Sequence, residues 1–207
     1  MNFDPSLSPR RAFLGTGLAL LSTGLLLPTA RAASPIVVDG LRFAGEIQLD
    51  GQTLQLNGVG LRAVAWLRGY AAGLYLTQPA KTPEQVLAAS GPKRLQLGML
   101  QEVGIEEFIK AFHKGVQRNT PAAAQPALAG RMAQFDTLLQ GIGKVKKMDI
   151  VDLDWLPKQG LRLMLNGRQR GPFIPGEDLY AALLRIFLGD RPTDKELKIG
   201  LLGGPVA

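Results

Sequence analysis

Two Asp-Gly pairs, in "IVVDGLRF" and "EIQLDGQTLQL", constrain this chain more than any other feature. Asp-Gly between alternating apolar residues is the short-range signal for a two-residue hairpin, because both turn positions need positive φ and these residues reach it at little cost. The segment from Ile36 to Leu56 therefore opens as antiparallel β. The segment "LNGVGLRAVAWLRGYAAGLYL", Leu56 to Leu76, continues it as one or two longer strands, and "KRLQLGML" adds another after a short helix around Pro83–Ala89.

Helices follow. Ile105, Phe108, Ile109, Phe112 and Val116 recur at helical spacing and end near Asn119 and Pro121, and a second helix is expected from Pro126 to Gln140. "KKMDIVDLDWL" and "GLRLMLNGRQRGPFI" return to strand, the latter turning at Asn166-Gly167. "GEDLYAALLRIFLG" and "TDKELKIGLLG" close the chain as helix, with Leu179, Leu183 and Ile186 on one stripe. Strands, helices, strands and helices in that order predict an α+β domain with helices packed on an antiparallel sheet.

The first 32 residues read differently. Arg10 and Arg11, an apolar run from Ala12 to Leu27 diluted by three glycines, and the triplet Ala30, Arg31, Ala32 read as an export signal, with cleavage after Ala32 expected over an uncleaved anchor. "PRRAFL" resembles the twin-arginine type, although Pro9 and Gly15 depart from it and leave the ordinary secretory route open. The expected organisation is thus a signal over 1–32 and one domain over 33–207, delivered outside the cytoplasm to a bacterial periplasm, with no membrane span after cleavage. Removing Arg10, Arg11, Arg31 and Asp4 leaves 21 basic and 16 acidic side chains, a balance of +5 against +7 for the whole chain. That balance is mild and the basic residues read as scattered apart from Lys144, Lys146 and Lys147, a solvated turn, so nucleic acid is not expected as a partner.

Cysteine is absent and His113 is the only histidine, which removes disulfides, thiolate nucleophiles, Fe–S clusters and histidine-rich zinc sites together. No cofactor or metal is expected. Gly58, Gly60 and Ala63 satisfy the spacing G-x-G-x-x-A, but that fingerprint must open a helix, and "AVAWLRGY" is β-forming. The glycines read instead as room for a neighbour.

Arg62 is the residue to explain, since an uncompensated buried charge is costly. Alternation along a strand puts Arg62, Val64, Trp66, Arg68 and Tyr70 on one face. A guanidinium fork matches a carboxylate, a phenol adds a donor and an apolar surround completes a small-molecule pocket. The alternative is an arginine paired with an internal carboxylate. His113 lies at the edge of its helix's apolar face, where a boundary role competes with haem ligation or base catalysis. Asn119 has a ready structural use as a helix cap. Tyr75 and Tyr180 read as core aromatics, and no hydrolase constellation is present.

The stretch Leu56–Leu76, together with the tail "IPGEDLYAALLRIFLGDRPTDKELKIGLLG", resembles the chalcone isomerase-like family, specifically its bacterial exported branch, across nearly all of residues 33–207. The resemblance implies an open-faced antiparallel sheet covered by a layer of helices, with a ligand cleft between them. It also implies that Arg62 matches the cleft arginine of the plant isomerases, that Tyr70 replaces a cleft threonine, that Asn119 matches a cleft asparagine, and that Phe112 and Gly115 replace the catalytic tyrosine and lysine. Cyclisation needs donors for the phenolate and the developing enolate, and two of these are missing. The family's fatty-acid-binding branch holds a carboxylate with an arginine and a tyrosine on these strands. The expectation is therefore a non-catalytic protein that binds a small apolar or amphipathic anion, with Arg62, Tyr70, Trp66 and Asn119 in the site and His113 as a further polar cleft residue or haem ligand. The alternatives are an intramolecular lyase and a non-catalytic protein-interaction module.

Overall fold

The computed structural model describes residues 34–64 and 67–206. The chain opens with the hairpin β1 (Ile36–Val38) and β2 (Leu41–Phe43), then β3 (Glu46–Leu49), β4 (Gln52–Val64) and β5 (Leu67–Leu76). Helix α1 (Pro83–Ala88) leads to β6 (Lys93–Met99), and the two-residue β7 (Val103–Gly104) precedes α2 (Ile105–Asn119) and α3 (Gln125–Gln140). Strands β8 (Lys144–Val145), β9 (Ile150–Leu156), β10 (Gly160–Leu165) and β11 (Arg168–Gln169) follow, and α4 (Glu177–Leu188) and α5 (Lys195–Leu201) complete the fold.

The main sheet is antiparallel and seven-stranded, in the order β11-β10-β9-β6-β5-β4-β3. Three features of the fold follow from local chemistry. The turns at Asp39-Gly40, Asp50-Gly51 and Asn166-Gly167 all have positive φ at both positions, as the hairpin signal requires. Thr82 caps α1 through a reciprocal pair with Gln85, and Asp194 caps α5 by accepting from the Leu197 N–H at 3.0 Å. Along β5, Ala72, Leu74 and Leu76 point to the helices, while Ala71 and Tyr75 point to the opposite face.

Helix α4 is the centre of the helical layer: Leu179, Tyr180, Leu183, Leu184 and Phe187 are buried among sheet residues Leu95, Leu97 and Leu153 and the inner faces of α2 and α3. Tyr180 stacks on Trp155 at 5.9 Å and donates its hydroxyl to the Leu153 carbonyl at 3.1 Å. On the far side of the sheet, Leu41 and Phe43 of the β1–β2 hairpin cover Val59, Leu61 and Ala71. That hairpin is a two-stranded sheet of its own rather than an extension of the main one, as is the pair β7–β8, which the sequence reading did not anticipate.

Gly58 and Gly60 lie within β4, so the glycine spacing forms no helix-opening phosphate loop. A Cβ at Gly60 would run into the backbone of Leu197, and one at Gly58 into Gly200, so these two positions let α5 lie directly on the strand. Among the described residues no helix is long and apolar enough to cross a membrane. The segment read as an export signal lies outside the described residues.

Candidate functional site

The stretch from Leu56 to Leu76 is a hairpin rather than one strand. β4 and β5 are antiparallel neighbours, and Arg62 faces Tyr70 as its register partner. Alternation along a single strand is therefore not what brings the two together. The pairing runs Arg62 to Tyr70 and then Ala63 to Arg68, which leaves Gly69 as the extra residue of a bulge. Tyr70 keeps the alternation of Ala72, Leu74 and Leu76 and so shares the helix-facing side with Arg62, and the bulge begins only beyond that pair. A second bulge, at Asn57, is locked by the Asn57 side chain, which donates to the carbonyls of Ala80 (2.9 Å) and Leu201 (2.8 Å).

Between sheet and helices lies a cavity of about 310 Å³, at the lower end of the usual range for small-molecule sites. Leu97, Met99 and Leu153 form its floor, Phe108, Ala111 and Phe112 of α2 one wall, and Leu183, Ile186 and Phe187 of α4 the other. Its polar groups are few: Arg62, Tyr70 and Thr193 line it, with Glu107 as its acidic member. The Arg62 Nε donates to Thr193 Oγ1 at 3.1 Å, and the guanidinium carbon lies 5.8 Å from the Tyr70 ring centroid. Among the described residues no carboxylate lies within 4.0 Å of the Arg62 guanidinium. Among the described residues, then, Arg62 lacks the direct ion-pair partner that a purely structural buried arginine would have.

Tyr70 packs edge-on against Phe187 at 6.4 Å. Burial pushes its phenol well above the ordinary tyrosine range, with the Arg62 charge and the Thr193 hydroxyl partly offsetting that rise. A phenol held neutral is a hydrogen-bond donor to an anion rather than a base. Thr193 is the residue that sequence reasoning missed. It sits in the loop between α4 and α5, where its N–H donates to the Ile186 carbonyl at 2.9 Å.

Asn119 and His113 are placed outside this cavity. Asn119 donates to the carbonyls of Gly115 (3.0 Å) and Arg191 (2.9 Å) and accepts from the Arg191 N–H (2.9 Å). Its amide is consumed in tying the end of α2 to the loop that carries Thr193, so it is a clamp and not a lining residue. His113 is exposed, with Nε2 2.8 Å from Asp136 Oδ2, on the side of α2 that faces α3. Trp66 lies outside the described residues. Phe112 does line the cavity, edge-on to Phe135 at 4.9 Å, and offers no donor. A side chain at Gly115 would meet Ile186 Cγ2 at 2.7 Å, so this glycine sets the approach of α2 to α4. Among the described residues no group of three or more acidic or histidine side chains could hold a metal ion.

Comparison with known proteins agrees with this architecture. A family model described as chalcone isomerase-like matches residues 36–203. Among solved structures, a fatty-acid binding protein of Arabidopsis thaliana superposes with a TM-score of 0.62 at 16% identity, covering 81% of this chain and 95% of that one. At that identity the likeness is one of fold. No curated protein sequence matches the chain.

Proposed function

The chain belongs to the chalcone isomerase-like family, and from that premise we propose that it is a binding protein, not a catalyst, for an apolar anion such as a fatty acid. The single observation carrying this reading is Arg62: a cation at the end of an apolar cavity, bonded to the Thr193 hydroxyl at 3.1 Å and facing a neutral phenol. A ligand carboxylate would take the remaining guanidinium donors and the Tyr70 hydroxyl, while its chain would lie against Phe108, Phe112 and Phe187. Charge-assisted bonds of this kind contribute about 1.5–3 kcal/mol each. The fold shared with a fatty-acid binding protein supports the reading. Phe112, with its ring toward the cavity, supports binding over cyclisation, because it has no proton to give an enolate. The further elements of the proposal are export through a signal cleaved after Ala32, a domain over 33–207, and a place in the family's bacterial exported branch.

The test is native mass spectrometry of the protein purified from its own host, followed by extraction and identification of what is released on denaturation. The expected result is a co-purifying long-chain carboxylate that is lost in Arg62→Ala. An empty protein that also refuses a panel of fatty acids would end the proposal. The mass of that same protein reads the processing site directly, since cleavage after Ala32 leaves Ala33 as the first residue.

A further inference from the structure

Resting on the binding reading above, we infer that the ligand carries a phosphate-bearing headgroup, seated in a basic vestibule beyond Arg62 and formed by Lys110, Lys114, Arg118 and Arg191. A second cavity of about 320 Å³ adjoins the first, and the two share Arg62, Glu107, Ala111, Ile186 and Thr193. An apolar chamber and one of opposite character therefore meet at Arg62. With Arg62, five cations line that outer chamber against one carboxylate. That carboxylate, Glu107, already pairs with Lys110 at 3.3 Å. Among the described residues no carboxylate lies within 4.0 Å of the Lys114, Arg118 or Arg191 side chains.

Helix stability does not explain the arrangement. Lys110, Lys114 and Arg118 stand at i, i+4 and i+8 on α2, a spacing at which like charges repel. Nor does a simple carboxylate use it, since one negative charge is already met by Arg62 with Tyr70 and Thr193. A phosphate monoester carries about −1.5 to −2 charge and three strong acceptor oxygens, and arginine forks match phosphate geometry. The number and type of cations beyond Arg62 fit that chemistry: in an acyl ester of a phosphate monoester, the ester carbonyl would take the place of the fatty-acid carboxylate at Arg62 and Tyr70, and the phosphate would meet the outer cations. Arg191 is held in position from behind, because its own backbone N–H and carbonyl are both bonded to the Asn119 side chain at 2.9 Å.

Isothermal titration of the purified protein with lysophosphatidic acid, with the free fatty acid of the same chain, and with inorganic phosphate tests the inference. A double variant, Lys114→Gln with Arg118→Gln, is titrated beside it. The expected result is lysophosphatidic acid binding at least tenfold tighter than the fatty acid, with that preference lost in the double variant while fatty-acid affinity stays within twofold. Both substitutions are on exposed side chains, and circular dichroism checks that α2 persists. Equal affinity for the two lipids overturns the headgroup assignment and leaves the fatty-acid reading standing. So does an equal loss of both in the variant, which would make the vestibule a general steering field. Inorganic phosphate binding as tightly as lysophosphatidic acid overturns it too, by making the site one for the free anion. Failure of both lipids to bind removes the underlying function together with the inference.

Discussion

The main sheet carries arginines on both of its faces, and the two sets are treated in opposite ways. On the face away from the helices, Arg94, Asp154 and Arg162 are register partners across β6, β9 and β10. Arg94 grips Asp154 through Nε at 2.6 Å and a second nitrogen at 2.9 Å, and Arg162 adds bonds at 3.1 and 2.8 Å. Beside them Gln96 donates to Asp152 at 2.7 Å. Each of Arg94, Arg162, Asp152 and Asp154 has a counter-charge one strand away. On the helix-facing side, among the described residues, Arg62 has a hydroxyl and a phenol but no carboxylate within 4.0 Å. An arginine whose charge is met inside the chain holds strands together, whereas one left unmet at the end of a cavity is available to a ligand.

The comparison breaks most easily at Asp154, which is fully buried. Replacing it with alanine strands Arg162 and leaves Arg94 only the more distant Asp152 at 3.7 Å, and the expected loss is about 3–5 kcal/mol of unfolding free energy, read by denaturant titration at unchanged m-value. A loss below about 1 kcal/mol would mean that water compensates the arginines and that the two faces do not differ as described. Arg62→Ala is the opposite case: stability should move by no more than about 1 kcal/mol, while affinity for the ligand carboxylate falls roughly tenfold to a hundredfold, the equivalent of one charge-assisted contact. A variant that instead unfolds would make Arg62 a structural residue.

A third expectation concerns pH. Burial raises the phenols of Tyr70, Tyr75 and Tyr180 above the ordinary value of 10.0. The folded protein therefore keeps these protons while the unfolded chain releases them. Stability should be insensitive to these groups below pH 10 and decline above it, by up to about 1.4 kcal/mol per pH unit for each phenol. Tyr180→Phe should flatten that decline, and an alkaline limb unchanged in the variant would remove Tyr180 from it. The smallest effect sharpens the site itself: Tyr70→Phe deletes one neutral donor, and the ligand dissociation constant should rise about three- to tenfold with Arg62 intact. A silent substitution would leave Arg62 and Thr193 as the whole carboxylate site.

The hairpins at Asp39-Gly40, Asp50-Gly51 and Asn166-Gly167 were legible because positive φ is a property of the residues at the turn. Helix α2 was legible for a similar reason, since Ile105, Phe112 and Val116 carry its buried face at helical spacing. Half of the candidate site was legible too. Arg62 stood out as a charge in an apolar strand, but its pairing with Tyr70 came from the cross-strand register of a hairpin rather than from alternation along one strand. The row Lys110, Lys114, Arg118 was visible as i+4 spacing and passed for scattered charge, because spacing along one helix does not say which cavity the helix borders.

What no local pattern could carry is the meeting of residues far apart in the chain. Thr193 reaches Arg62 across 131 positions, and Asn119 reaches Arg191 across 72. A turn or a helix is decided by torsional preferences and spacing within a few residues, so it is written in composition at that point. A polar contact between distant segments is decided by where packing leaves two side chains. Here that depended on Gly58 and Gly60 admitting α5 onto β4, and on Gly115 admitting α4 onto α2. Those close approaches set the position of the loop between α4 and α5, and with it Thr193 and the mouth of the cavity.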